Sequence, residues 1–284
     1  MFYEIVIIDN NSSDNTCLIV KDIIKSCKFS NLNIKLIESN KNLGSSGSFI
    51  EAVKYIKPSW DFILKMDEDV ILENNCLKEM IKMSEKVAVK GIIGGKILYY
   101  KNKKEIQAIG SSLKPIYAIA KGIGVNASTD KKNFNVPMSI DAPNGCMILI
   151  PKDIFINVSW FYEDYFMYYD DHEIMYKSNK KGFINYYCPN AIAYHDTYTG
   201  SNIKYANKKW LYYSVRNSVF FMKRNFKNDY INLILYFFGH NLKFILGIFL
   251  IFYFSGLKKI HINLFTYFLG YKDGVTGKGG MKQL

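Results

Sequence analysis

The chain is poor in cysteine. Its 5 cysteines among 284 residues are Cys17, Cys27, Cys76, Cys146 and Cys188, dispersed, odd in number and without CxxC spacing. This argues against a disulfide framework and a zinc site, and leaves reduced, mostly buried thiols in a cytoplasmic protein as the expectation. No basic n-region and no small-residue cleavage site opens the chain. Met1 runs within a few residues into Ile5-Val6-Ile7-Ile8, which reads as an apolar strand and not as a signal peptide. There is no dinucleotide GxGxxG, no P-loop GKS/T and no internal repeat. No RNP, KH or zinc-finger pattern appears, so nucleic acid is not an expected partner. Acidic residues are in the minority, 25 against 37 basic, for a net charge of +12. That balance favours phosphate-bearing substrates or an acidic lipid surface, with a solvated, lysine-rich exterior as the plain alternative.

What is present is a large apolar fraction, 49% of the residues, enough for a sizeable core. Glu4–Ile8, Ile34–Glu38 and Phe62–Met66 read as strands. Helical patterns near Thr16–Ser26 and Ser48–Ile56 alternate with them, and Gly44 and Gly47 punctuate the loop before the second helix. Such alternation predicts βαβ units, a mainly parallel sheet and ligands beyond the carboxyl ends of the strands. Farther on, Gly91–Leu98 and Ala142–Ile150 read as strands, residues 99–140 as loops with short strands, and Asp170–Asn179 as a helix. Phe183–Cys188 reads as a strand ended by Pro189. Trp210–Asn225 reads as a helix, and Tyr230–Phe254 is strongly apolar and aromatic but interrupted by His240, Asn241 and Lys243. Membrane association follows as an expectation, either in the interfacial plane or as one span, with a helical cap over the sheet as the alternative. The chain thus divides into residues 1–205 and a helical, membrane-associating region 206–284.

Five clusters carry candidate chemistry. In Met66-Asp67-Glu68-Asp69-Val70, an extended backbone would point Asp67 and Asp69 the same way, where their oxygens suit Mg²⁺ or Mn²⁺. An acidic loop capping the next helix is the alternative. Asp9, leaving the first strand beside Asn10, Asn11 and Ser12, can accept hydrogen bonds from a base or ribose, while Asp14 reads more simply as a helix cap. Asn42, Gly44 and Gly47 belong to a loop that lets backbone approach a ligand and offers amides to an anion. In Tyr168-Tyr169-Asp170-Asp171-His172-Glu173, adjacent carboxylates repel. Their repulsion raises the pKa of one, and a carboxylate there can take a proton from a hydroxyl. The stretch from Trp160 supplies aromatic surface for sugars. His195, after Pro189-Asn190-Ala191-Ile192-Ala193-Tyr194, either completes a metal shell or is structural.

In order, the segments IIDNNSSDNT, NKNLGSSGSF, MDEDV, APNGCMILIPKDIF, FYEDYFMYYDDHEIMYKSNKKGF and CPNAIAYH resemble glycosyltransferase family 2, the inverting enzymes with the GT-A fold. Within that family the chain is similar to bacterial rhamnosyl- and galactofuranosyltransferases. The resemblance implies a Rossmann-like mixed, mainly parallel sheet with helices on both faces, plus C-terminal apolar helices. It implies that Asp67 and Asp69 hold the metal with His195, and that Asp171 is the general base, supported by Asp170. Asp9 would contact the nucleotide, and Asn11, Asn42, Gly44, Gly47, Asp67 and Glu68 complete the donor-binding set. The donor would be a UDP- or dTDP-linked sugar and the cofactor Mn²⁺ or Mg²⁺. The acceptor would be a glycan or lipid-linked hydroxyl at the cytoplasmic face of the cell membrane. Family members normally begin with another strand and helix, so a sheet lacking a central strand is expected. A sugar nucleotidyltransferase and a non-catalytic membrane-surface protein derived from such an enzyme are the alternative readings.

Overall fold

The computed structural model describes residues 3–28, 30–114, 119–158, 162–196, 208–229, 231–239, 242 and 257–284. The first third alternates strand and helix: β1 (Tyr3–Asp9), α1 (Thr16–Ser26), β2 (Leu32–Glu38), α2 (Gly44–Val53), β3 (Phe62–Met66), β4 (Val70–Leu72) and α3 (Cys76–Lys86). The middle is strand-rich: β5 (Ile93–Tyr99), β6 (Glu105–Ala108), β7 (Gly110–Lys114), β8 (Ile119–Ile123), β9 (Ala127–Ser128), β10 (Met138–Ser139) and β11 (Ala142–Pro143). There follow β12 (Met147–Pro151), α4 (Lys152–Asn157), α5 (Asp170–Lys180), β13 (Tyr186–His195) and α6 (Lys208–Asn225). A helix over residues 231–239 (α7) and α8 (Leu257–Thr276) come last.

The main sheet runs β10-β13-β5-β12-β3, with β4 added on β13 and β6 and β9 beyond β5. It is mixed, as expected, but the expected mainly parallel character is shown only in part, since most of its pairings are antiparallel. β13 lies parallel to β5, but β12 lies antiparallel to both β5 and β3. All five residues of β12 are buried, so its sequence carries no alternation from which direction could be read. β1 and β2 form a parallel pair, hydrogen-bonded to no other strand among the described residues. Layers cover both faces of β12. Met147 and Leu149 meet Cys76 and Met80 of α3, while Ile148 and Ile150 meet Ile154 of α4 and Ile174 and Met175 of α5. α1, by contrast, buries none of its residues, and Leu18, Ile19 and Ile23 stand open to solvent.

Three expectations are corrected. α2 begins at Gly44, not Ser48, so Gly44 and Gly47 belong to its first turns. The expected strand Ala142–Ile150 breaks at Asn144–Cys146, where Asn144 Oδ1 accepts the Cys146 amide at 3.2 Å. Pro189 does not end its strand. β13 runs on to His195, and a register shift between Cys188 and Ile192 absorbs the residue that has no N–H to donate. Most of Tyr230–Phe254, Trp160 and the boundary near residue 205 lie outside the described residues. Among the described residues no helix is long and apolar enough to cross a membrane.

Candidate functional site

β3 ends at Met66, and residues 67–70 then form a turn, with the Val70 amide donating to the Asp67 carbonyl at 3.3 Å. The acidic triplet is therefore not extended, and the two aspartates take different partners. Asp67 Oδ1 accepts from Lys65 Nζ at 2.9 Å. Asp69 Oδ1 lies 2.9 Å from His195 Nε2, because β13 pairs with β4 across Val70 and His195. Glu68 points outward and is exposed. The other imidazole nitrogen of His195, Nδ1, is 2.8 Å from Gln107 Oε1. An amide oxygen only accepts, so Nδ1 carries a proton there and Nε2 faces the Asp69 carboxylate.

Among the described residues no group of three His, Cys, Asp or Glu side chains is arranged to hold a metal ion. The Asp69–His195 pair nonetheless fits one by its chemistry: a carboxylate oxygen and an imidazole nitrogen face each other, held from behind by Gln107. Imidazole beside carboxylate suits Mn²⁺ better than the oxygen-seeking Mg²⁺.

Lys65 is the residue that pattern reading missed. Its side chain is 9% exposed although it sits in the strand Phe-Ile-Leu-Lys-Met. Its ammonium donates to Asp67 Oδ1 and to the Gly145 carbonyl, both at 2.9 Å. Burial disfavours its charge, but Asp67, Asp170 and Asp171 together hold its pKa above the ordinary lysine value. Gly145 also touches Asp171: a Cβ there would overlap Asp171 Oδ2. The β3 end, the Asn144–Cys146 break and the start of α5 thus converge on one acidic cluster.

At that start, Asp170 is buried and Asp171 keeps a quarter of its side chain open. Burial, and then the Asp171 charge, push the Asp170 carboxyl up to about 6. Burial also opposes ionisation of Asp171, but the charge and hydrogen bonds of His172, helped by Lys65, hold it below the usual carboxylate range. His172 Nδ1 lies 3.1 Å from Asp171 Oδ1, and the His172 amide donates to the same oxygen at 2.7 Å. The adjacent acids are therefore driven apart in proton affinity, with the ionised one facing solvent.

The β1 and α2 side adjoins the cluster through Ser45. Asp9 is buried and accepts the Ser12 amide at 3.0 Å, and hydrogen bonding from Ser12 holds its carboxyl below the usual range. Asn11 adopts a left-handed φ of 63° and is exposed. Asn10 Oδ1 accepts the Leu43 amide at 3.2 Å, and Asn42 Oδ1 accepts the Gly44 amide at 2.9 Å. Gly44 has φ 70°, and a Cβ there would overlap the Phe166 carbonyl, so glycine is required by both torsion and space. Gly47 packs against Leu43 one turn on. Ser45 Oγ donates to Asp170 Oδ2 at 3.3 Å, joining this side to the acidic pair. Asp14 is exposed and accepts the Thr16 amide at 3.0 Å just ahead of α1, but it is not the expected cap: the N-cap position is Asn15, which makes no side-chain capping hydrogen bond.

The profile of "Glycosyl transferase family 2" matches residues 1–155, more than half of the chain. The low-salt glycan biosynthesis hexosyltransferase Agl10 of Haloferax volcanii is 23% identical over 180 residues, which are 63% of this chain and 54% of that protein. The chain therefore spans about half the length of that curated relative. Among solved structures, the mannosyltransferase PcManGT from Pyrobaculum calidifontis, in complex with GDP-Man and Mn²⁺, superposes with a TM-score of 0.55 at 12% identity, over 97% of this chain and 78% of that one. S. aureus TarS 1-349 gives 0.52 at 13% identity, over 96% and 71%. GalNAc-T7 with UDP, GalNAc and Mn²⁺ gives 0.54 at 16% identity, over 69% and 38%. At these identities the structures speak for the fold alone, and the fold is GT-A. With its profile match, its mixed α/β architecture and its fold agreeing, the chain belongs to glycosyltransferase family 2.

Proposed function

We propose that this chain moves a sugar from a UDP- or dTDP-linked donor to a hydroxyl of a glycan or lipid-linked acceptor, inverting the anomeric centre. The observation that carries the reading is the paired acids at the start of α5. Asp171 is ionised, partly open and braced by His172, in the cluster that also holds Lys65 and Asp67. Asp171 takes the proton of the acceptor hydroxyl as its oxygen bonds the anomeric carbon. The bond to the diphosphate oxygen breaks on the opposite face, and its electron pair leaves with the nucleotide. Asp170 stays buried behind Asp171 and fixes its place. Asp9 and Asn11 face the nucleotide, Asn42, Gly44 and Gly47 shape the donor loop, and Asp67 and Glu68 border the diphosphate.

Asp69 and His195 would hold a divalent ion that neutralises the diphosphate charge, and Asp67 would join them on turning from Lys65. PcManGT and GalNAc-T7, whose structures contain Mn²⁺ with a nucleotide or nucleotide sugar, support that choice of ion and donor class. The apolar outer faces of α7 and α8, with the basic charge of the chain, support placement on the cytoplasmic face of the cell membrane.

The test is Asp171→Asn, assayed against a panel of nucleotide sugars with Mn²⁺. Turnover is expected to fall by about 10²–10⁴-fold, the contribution of a general base, with donor affinity within about twofold of the parent. Transfer at the parental rate would remove Asp171 from the mechanism.

A further inference from the structure

Asp170 and Asp171 follow a turn that their own sequence does not favour. Phe166, Tyr168 and Tyr169 have φ between 63° and 69°, a left-handed conformation that bulky L residues avoid. No glycine relieves it, so neighbouring structure must hold it. The restraint comes from α6. Asn217, fully buried, donates from Nδ2 to the carbonyls of Tyr165 at 3.0 Å, Met167 at 2.7 Å and Tyr168 at 2.9 Å. Arg216, also fully buried, donates from Nε to Asn217 Oδ1 at 2.9 Å, which fixes the way the amide faces. Its Nη2 reaches the carbonyls of Asp164 at 2.8 Å and Tyr165 at 2.7 Å. Its Nη1 donates to the Gly280 carbonyl at 2.6 Å, and the Gly280 amide donates to the Asp164 carbonyl at 2.9 Å, so the C-terminal tail closes over the same turn. On the other side Phe166 presses on Gly44, and Ser46 Oγ donates to the Tyr162 carbonyl at 2.7 Å.

We propose that Arg216 and Asn217 are positioning residues for the base: they hold the backbone of residues 164–168 in the course that aims Asp171 at the acceptor hydroxyl. The inference rests on the role given to Asp171 above. Neither residue touches substrate, and their effect on the reaction passes through the turn. Because the same turn abuts the Gly44 loop, the clamp also sets the base relative to the donor side.

Asn217→Asp keeps the oxygen that Arg216 meets and removes the amide hydrogens from three carbonyls. It is expected to lower kcat for transfer by about 100-fold, as misplacement of a reacting group does, while donor affinity in Mn²⁺ stays within about twofold. A folded Asn217→Asp with parental kcat overturns the clamp, and so does a parallel loss of kcat and donor affinity. If that variant does not fold, Gly279→Val decides. Its side chain would overlap Asp164 and lift the tail whose Gly280 carbonyl holds Arg216 Nη1, so unchanged kcat overturns the proposal and reduced kcat at parental donor affinity supports it. Amide exchange separates this idea from the function itself. In Asn217→Asp, protection lost over residues 163–171 but kept in β3 and β12 supports the clamp even if the parent transfers no sugar, and protection unchanged over 163–171 overturns it.

Discussion

Lys65 sets an ammonium group among Asp67, Asp170 and Asp171. Burying that charge is costly unless it is paired, and here a carboxylate and a carbonyl accept two of its hydrogens. Lys65→Met keeps the bulk and removes the charge. It is expected to lower unfolding free energy by about 1 kcal/mol, less than the cost of breaking a fully buried pair, because Asp67 is 38% exposed and solvent screens it. Added Mn²⁺ should raise the melting temperature of this variant more than that of the parent, because the ion supplies the missing positive charge. Equal Mn²⁺ shifts in the two proteins would show that ammonium and ion do not share a field. The Asp170 carboxyl, lifted to about 6, binds more protons folded than unfolded between roughly pH 4 and pH 6, so its contribution to stability is lost as pH rises through that window. Asp171, held low, has the opposite sign: its contribution is present above the ordinary carboxylate pKa and lost as pH falls through its depressed value. Asp170→Asn cannot ionise. It should flatten the pH 4–6 decline and raise the melting temperature at pH 7.5 by several degrees, about 2 kcal/mol, read from melts at pH 4.5 and 7.5. The acids were legible because carboxylates at strand and helix ends are sparse and placed by pattern. Lys65 was not, since its burial depends on β12 crossing beside β3.

At the level of elements, α2 shows how one residue sets a junction. Gly44 starts the helix at φ 70° with the Phe166 carbonyl against its Cα. Gly44→Ala must displace the 163–169 turn, and a loss of about 2 kcal/mol in urea unfolding, with weakened donor binding, is expected. Stability within a few tenths of a kcal/mol of the parent would mean that the turn yields freely. The helix was visible in the sequence, but its start was placed four residues late, because Asn-Leu-Gly-Ser-Ser-Gly reads as a loop by composition. Pro189 misled in the same way. It marks the end of a strand by rule, yet the register shift in β13 absorbs it and carries the chain on to His195. That continuation is what brings His195 to Asp69 across β4.

For the whole molecule, the C-terminal helices and the tail are tied to one another. Tyr212 of α6 donates to Asp273 of α8 at 2.7 Å, and Lys282 returns to Asp273 at 3.0 Å. Outward from this joint, Ile231 (73% exposed), Ile234 (55%) and Phe238 (67%) line one face of α7, and Phe265 (69%) and Phe268 (63%) stand on α8. With +12 net charge, flotation with vesicles containing anionic lipid is expected, weakening as salt rises and reduced by Phe265→Ser with Phe268→Ser. Recovery of the parent only in the lipid-free fraction would remove the membrane from the proposal. The sequence by itself determined the family, the order of strands and helices and the positions of the acids, because these depend on local periodicity and on residue chemistry. Only the tertiary structure decided the direction of β12, the pairing of Asp69 with His195, the burial of Lys65 and the grip of Arg216 and Asn217 on the turn before Asp170. Each of these joins residues far apart in the chain through carbonyls, edges and close approaches that no local pattern records.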